Sequence, residues 1–89
     1  MAEPVFTRPV RLMPKSLRSP RHQRFLNQLR SLRKAQGLTQ EQLAEKLGRP
    51  QSFVAKYEGG ERRLDVIEFL DVAAVLDTDP CEILLSVRF

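Results

Sequence analysis

Few residues of this chain could carry covalent or metal chemistry. His22 is the single histidine and Cys81 the single cysteine, so the sequence offers neither an internal disulfide nor the usual ligand set of a zinc site. The carboxylates are scattered over predicted helix surfaces, and no Ser/His/Asp set or phosphate-cradling loop accompanies them. We therefore expect no enzyme activity, no metal and no cofactor. His22 is expected to be an exposed side chain at a helix start, and Cys81 a buried or half-buried, inert thiol rather than a redox switch.

The distribution of charge, rather than any reactive group, indicates a partner. Residues 1–21 carry a net charge of +4, residues 22–63 carry +5, and residues 64–89 carry −5. A basic N-terminal two-thirds can bind a polyanion, whereas an acidic C-terminal third is repelled by one. Nucleic acid is therefore the first partner to consider.

Length and composition limit what surrounds these charges. Eighty-nine residues with 42% hydrophobic content can close one modest core, which predicts a single domain rather than a multidomain enzyme. The apolar runs are far shorter than the roughly 18 to 20 residues that span a bilayer. The N-terminus lacks the continuous apolar region of a secretory signal. We expect a cytoplasmic protein without a membrane partner.

The elements that must position the charges are helices. Residues 1–21 hold four of the six prolines, which disfavour helix and predict an extended, basic N-terminal arm. From His22, apolar residues recur at three- and four-residue spacing as far as Leu32, with arginines at the other positions, and Gly37 closes this first helix. An all-α domain over residues 22–89 is predicted.

A tight pair of short helices follows, over residues 40–58. Thr39 and Gln42 have the spacing of a capping box, which predicts a second helix from Gln40 to Leu47. Gly48 is suited to a left-handed helix end, and Pro50 to the first turn of a third helix that stops at Gly59 and Gly60. Two helices joined so closely must cross steeply. Small Ala44 would allow that crossing, while Leu43, Leu47, Val54 and Tyr57 would share the core and Phe53 would pack.

Two further helices complete a predicted set of five. Asp65 and Glu68 have N-terminal capping spacing before a helix that is apolar on nearly every side, and a last short helix follows Pro80. One small core cannot cover so much apolar surface, and such surfaces usually mark an interface. We therefore predict a homodimer through these two helices, with an interface made of Phe69, Val72, Leu76, Ile83, Leu84 and Val87.

The segment from Leu38 to Glu58 resembles the XRE-type family of phage repressor and Cro-like helix-turn-helix proteins. The matching pieces are Leu38-Thr39-Gln40 with Leu43-Ala44, then Leu47-Gly48, then Ser52-Phe53-Val54 with Tyr57-Glu58 and Gly60. The resemblance extends over about residues 22–86 and implies a compact five-helix, repressor-like fold. It also implies a symmetric dimer that places the third helix, about residues 50–58, in the DNA major groove.

The resemblance also implies a role for particular residues of this chain. Base contacts would come from the start of the third helix, from Gln51, Ser52, Ala55 and Lys56; the amide of Gln51 can pair with the adenine edge. Gln40 at the start of the second helix resembles the family's phosphate contact. Arg49, Arg62 and Arg63 flank the third helix and would bind the DNA backbone. The implied function is a sequence-specific transcription regulator that represses its target.

Two other functions remain open from the sequence. The chain could be an antitoxin or accessory subunit, in which the C-terminal apolar face or the arm binds another protein. It could also be a protein-interaction module that does not read DNA, although the basic residues around the third helix argue against this. For the arm, disorder in the free protein leads, with a minor-groove arm and a strand formed by Val5–Leu12 as alternatives.

Overall fold

The computed structural model describes residues 19–89, and every regular element in that range is an α-helix. The helices are α1 (Pro20–Ala35), α2 (Gln40–Leu47), α3 (Gln51–Glu58), α4 (Val66–Val75) and α5 (Pro80–Ser86). The predicted all-α class and the order of five helices are confirmed. Residues 1–18 of the predicted arm, including Val5–Leu12, lie outside the described residues.

The first helix starts two residues earlier than the sequence pattern predicted. Ser19 is the N-cap, and its hydroxyl accepts a hydrogen bond of 3.0 Å from the backbone N–H of His22. Pro20 then occupies the first helical position, where a missing backbone donor costs nothing. The prediction was wrong at this boundary because Pro20 was grouped with the prolines of the arm rather than with the helix it begins.

The predicted turn between α2 and α3 is confirmed at its capping box and at Gly48, but not at Pro50. Thr39 and Gln42 form the reciprocal capping box, and Gly48 ends α2 with a φ of 69°, in the left-handed region where a side chain is strained. Pro50 is the N-cap of α3 rather than its first residue. Two helices of eight residues are thus joined by three residues.

All five helices contribute to one core. In the contacts between elements, α3 packs on α1 and α2, α4 packs on α2 and α5, and α5 packs on α1. Ala44 is buried, and Phe53 and Tyr57 pack edge to face. The largest fully buried side chains are Tyr57, Leu26, Leu29, Leu43, Leu76, Ile83, Val54 and Val72.

The core removes most of the predicted dimer interface from the surface. Phe69, Val72, Leu76 and Ile83 are buried within the monomer, and Val87 is half-buried. Of the six residues predicted for the interface, Leu84 alone is exposed. The sequence argument underestimated how much of α4 a small helical domain can cover, because α2 and α5 both pack against that helix. The apolar side chains that α4 and α5 leave exposed are Val66, Ile67, Leu70, Leu84 and Leu85.

Two single residues also differ from their predicted environments. Cys81 is exposed, not buried, because α5 has only seven residues and turns Ile83 to the core. His22 is half-buried rather than exposed, and its ring lies 6.1 Å from that of Phe25. Burial and the nearby positive charge of Arg63 lower the pKa of His22 below its usual value of 6.5.

Candidate nucleic-acid interface

The N-termini of α2 and α3 bring two glutamines together. Each is the first residue of its helix, Gln40 in α2 and Gln51 in α3. The Nε2 of Gln51 lies 3.5 Å from the Oε1 of Gln40, at the outer limit of a hydrogen bond. Two residues that are 11 positions apart in sequence therefore form one polar site at adjacent positive helix ends.

The predicted base-contacting residues share one side of α3, which we call the reading face: Gln51, Ser52, Ala55 and Lys56. Gln51, Ser52 and Lys56 are exposed, and Ala55 is half-buried. Their spacing of one, four and five residues keeps them on adjacent positions of the helix surface. No side chain of residues 19–89 caps this helix end, because Pro50 has no side-chain acceptor. The backbone N–H groups of Gln51 and Ser52 and the reading face thus remain available to a ligand, whereas the Phe53 N–H donates to the Pro50 carbonyl at 2.9 Å.

Behind the two glutamines lies a buried ion pair that the sequence pattern did not predict. The Glu58 carboxylate accepts hydrogen bonds from Nε and Nη2 of Arg33 at 2.8 and 3.0 Å. Arg33 is 7% exposed and Glu58 only 3%, although the sequence pattern placed arginines on the outer positions of α1. Hydrogen bonding to Glu58 is the main cause that raises the pKa of Arg33.

This ion pair fixes the orientation of Gln40. The Gln40 Nε2 donates to Glu58 Oε1 at 3.0 Å, so the amide oxygen of Gln40 is the atom that faces Gln51. A carboxylate can only accept hydrogen bonds, which forbids the reverse orientation of the amide. Gln51 in turn directs an N–H toward Gln40, leaving its own Oε1 to accept and its second N–H to donate.

A groove of about 510 Å³ borders the two glutamines between the end of α1 and the start of α2. Lys34 is exposed beside it, and the start of α2 contributes Thr39, Gln40 and one carboxylate, that of the exposed Glu41. A cation next to a positive helix end suits a phosphate group. Lys34 was missed in the sequence argument, because nothing local distinguishes it from the other basic residues of α1.

Two of the arginines predicted to contact phosphate are already paired within the chain. The Glu68 carboxylate accepts two hydrogen bonds from Arg62, at 2.8 and 2.7 Å, and one of 3.3 Å from Arg49. Both guanidinium groups also lie over the ring of Phe53, with centroid distances of 4.0 Å for Arg49 and 4.9 Å for Arg62. We call Glu68, Arg49, Arg62 and Phe53 the Glu68 clamp.

The third predicted arginine occupies a different part of the surface. Arg63 lines a groove with His22, Phe25, Leu84 and Val87, residues of α1 and of the C-terminal end rather than of the α2 and α3 starts. The structure therefore brings Gln40 next to the reading face. Arg49 and Arg62 both pair with Glu68 beside α3, whereas Arg63 lines a different groove.

The fold and this site define a class of protein, a helix-turn-helix domain with a polar reading face beside a helix N-terminus. The helix-turn-helix family model matches residues 29–83, more than half of the chain, which therefore belongs to the XRE-type helix-turn-helix family. It is a DNA-binding transcription regulator. Among the described residues, no helix has the length and apolar character needed to cross a membrane, and no group of acidic, histidine or cysteine side chains could hold a metal ion.

Solved structures agree with this assignment. An XRE-family like protein from Pseudomonas syringae pv. tomato str. DC3000 is 49% identical, with a TM-score of 0.76, covering 83% of this chain and 90% of that one. The restriction-modification controller protein C.AhdI from Aeromonas hydrophila is 41% identical, with a TM-score of 0.62 over 66% of this chain and 86% of that one.

A more distant structure supports the fold alone. The clp gene regulator ClgR from Corynebacterium glutamicum is 20% identical, with a TM-score of 0.68 over 76% of this chain and 72% of that one. None of the curated protein sequences is similar enough to count as a match.

Proposed function

We propose that this regulator reads a specific DNA sequence with the reading face of α3, and that Gln51 is its principal base contact. The observation that carries the proposal is the fixed pair of glutamines at the starts of α2 and α3. A glutamine amide whose orientation is set can accept from adenine N6 and donate to N7 at the same time. Glu58 orients Gln40, and the Gln40 amide oxygen faces Gln51 Nε2 at 3.5 Å, which favours the orientation of Gln51 that the adenine edge needs.

Phosphate binding on this proposal comes from the groove side of α2. The backbone N–H groups of Gln40 and Glu41, which the capping box does not use, would hold one strand of the DNA backbone together with the side chains of Gln40 and Lys34 while α3 enters the major groove. Arg49 and Arg62 contribute to phosphate binding only if their hydrogen bonds to Glu68 break or are shared with a phosphate. Arg63 lines the groove on the α1 and α5 side of the surface, so no role at the same phosphate is proposed for it.

We further propose that the protein binds as a homodimer through the exposed apolar side chains of α4 and α5. Val66 and Ile67 are 70% and 65% exposed, and Leu84 and Leu85 are 50% and 59% exposed. A two-fold dimer would place two copies of α3 about 34 Å apart, one turn of DNA. This surface replaces the buried interface residues that the sequence pattern predicted.

Repression is the output that we infer for such a dimer, because a protein seated across a promoter excludes polymerase from the same site. A reporter whose promoter carries the selected operator should lose expression when the protein is present. Increased expression would instead make the protein an activator.

The test of sequence-specific reading is selection of bound duplexes from a random pool, followed by titration of the most enriched duplex, the winner of the selection, with the protein. A palindromic winner with half-sites one turn apart is expected, and Gln51→Ala should weaken binding by about 1–3 kcal/mol. Gln36→Ala is the matched control, since Gln36 is exposed at the end of α1, outside the reading face. No enrichment, or an equal loss from both variants, would reject Gln51 as the reading residue.

The dimer is tested separately by sedimentation at tens of micromolar. A dimer that Leu84→Glu and Leu85→Glu dissociate would support the proposed surface. A monomer would reject it and leave this apolar face to another protein, as in an antitoxin or accessory subunit.

A further inference from the structure

The Glu68 clamp joins two elements whose backbones are not packed closely. Arg49 lies in the turn before α3 and Phe53 is in the first turn of α3, whereas Glu68 is in the first turn of α4. The principal packing of α3 is on α1 and α2, and that of α4 is on α2 and α5. The clamp is thus a side-chain link between the start of the reading helix and the start of α4.

Glu68 is held in place independently of the arginines. Its Oε1 accepts the backbone N–H of Asp65 at 3.0 Å, and its own N–H donates to Asp65 Oδ1 at 2.7 Å, which completes the capping box of α4. Hydrogen bonds from Arg62, and then from the Asp65 backbone, hold the pKa of Glu68 at about 2. The carboxylate therefore stays charged at neutral pH and remains at the position where both arginines meet it.

The side chains of the two arginines are nevertheless partly exposed, so a DNA phosphate can reach them. Their side chains are 39% exposed for Arg49 and 38% exposed for Arg62. A phosphate that approached α3 would compete with Glu68 for the same guanidinium donors. Arg49 has the longer contact to Glu68, at 3.3 Å, while the bidentate Arg62 pair is shorter.

We propose that Glu68 is a specificity-determining residue. It holds Arg49 and Arg62 against Phe53 and so prevents them from binding DNA phosphates non-specifically, without regard to the base sequence. The inference rests on the proposed function, because it assumes that α3 reads DNA. Phosphate contacts contribute affinity without sequence information. On the operator, base contacts fix the position of α3, whereas on a scrambled duplex the protein can shift until a released arginine meets a phosphate. Restraining two cations beside the reading face therefore lowers non-specific affinity more than operator affinity.

The variant Glu68→Gln separates the effect of the carboxylate charge from any effect on the fold of α4. Glutamine can complete a capping box, as Gln42 does in α2 of this same protein, so the variant should keep α4 while it releases the arginines. We expect tighter binding to a scrambled duplex and a smaller ratio of operator affinity to scrambled affinity. Each arginine that gains a phosphate should steepen the loss of affinity between about 50 and 200 mM salt by roughly 3.5-fold.

Asp71→Asn is the matched control. Asp71 is exposed, three residues further along α4, so this variant removes an equal charge without releasing the clamp. A second variant, Glu68→Gln with Arg49→Gln, should lose part of the added salt dependence. Thermal melts followed by circular dichroism check that each variant is folded.

The outcomes separate this inference from the proposed function. If Glu68→Gln and Asp71→Asn change scrambled-duplex affinity and salt dependence equally, or if Glu68→Gln changes neither, the clamp does not set specificity. If the wild type selects no DNA sequence, the proposed reading function fails. In that case a gain of salt-dependent duplex binding in Glu68→Gln still supports restraint by the clamp, and no gain overturns it.

Discussion

Replacing Arg33 by methionine tests the buried ion pair on which the orientation of the two glutamines depends. The substitution keeps a long side chain but removes the guanidinium, and with it two hydrogen bonds to Glu58 and one of 2.8 Å to the Leu38 carbonyl. The Glu58 side chain is 1% exposed. After the substitution its carboxylate still accepts the hydrogen bond from Gln40 and has a longer contact with Arg30, whose Nε lies 3.7 Å away.

The expected loss follows from leaving a carboxylate buried without its main partner. Removing one member of a buried pair costs about 3–5 kcal/mol, and the remaining contacts to Arg30 and Gln40 place this case near the lower end. We expect Arg33→Met to lower the free energy of unfolding by about 3 kcal/mol. For a domain of this size that loss corresponds to a fall in Tm of roughly 12–24 °C.

Urea denaturation followed by circular dichroism measures this loss. Lys34→Met is the control, because Lys34 is the exposed neighbour on α1, and surface changes of this kind usually stay within about 0.5 kcal/mol. Adding Glu58→Gln to Arg33→Met removes the charge of the buried carboxylate that has lost its main partner, and should recover part of the free energy of unfolding. A loss below about 1 kcal/mol for Arg33→Met, or additive effects of the two changes, would refute the reasoning.

Three further predictions concern pH and backbone strain. The depressed pKa of Glu68 stabilises the folded protein above its ordinary value near 4.5, and this contribution should disappear as the pH falls toward about 2; unfolding midpoints of Glu68→Gln should lack that part of the pH dependence. His22 has a lowered pKa, so stability should decline as the pH falls below 6.5, and an unchanged profile in His22→Asn would contradict this. Gly48→Ala should cost about 1–2 kcal/mol through its positive φ alone, since an added Cβ meets nothing within 4 Å; a neutral effect in a thermal melt would contradict the strain.

The local elements of this fold were predictable because their signals lie within a few residues of each other. The Thr39 capping box, the left-handed Gly48 and the Asp65 cap each depend on a side chain and a backbone group in the same turn of chain. The family motif in residues 38–58 likewise pointed to Gln51, Ser52, Ala55 and Lys56, and helical spacing places these four residues on one side of α3.

The predictions that were wrong or incomplete depended on partners distant in sequence. Arg33 meets Glu58 across 25 positions, and Arg49 meets Glu68 across 19. Without those partners, an arginine on a basic helix is expected at the surface, and a flanking arginine is expected to bind phosphate. The same limitation applied to the dimer interface, because packing between helices decides which apolar residues of α4 are covered.

The sequence by itself therefore determined the order of the helices, the caps at Thr39, Gly48 and Asp65, the short turn and the polar face of α3, since each follows from local backbone preference and helical spacing. Only the tertiary structure decided which charges are available to DNA. That outcome depends on which side chains meet when α1, α3 and α4 are brought together, and a buried or shared carboxylate changes the role of every arginine it pairs with.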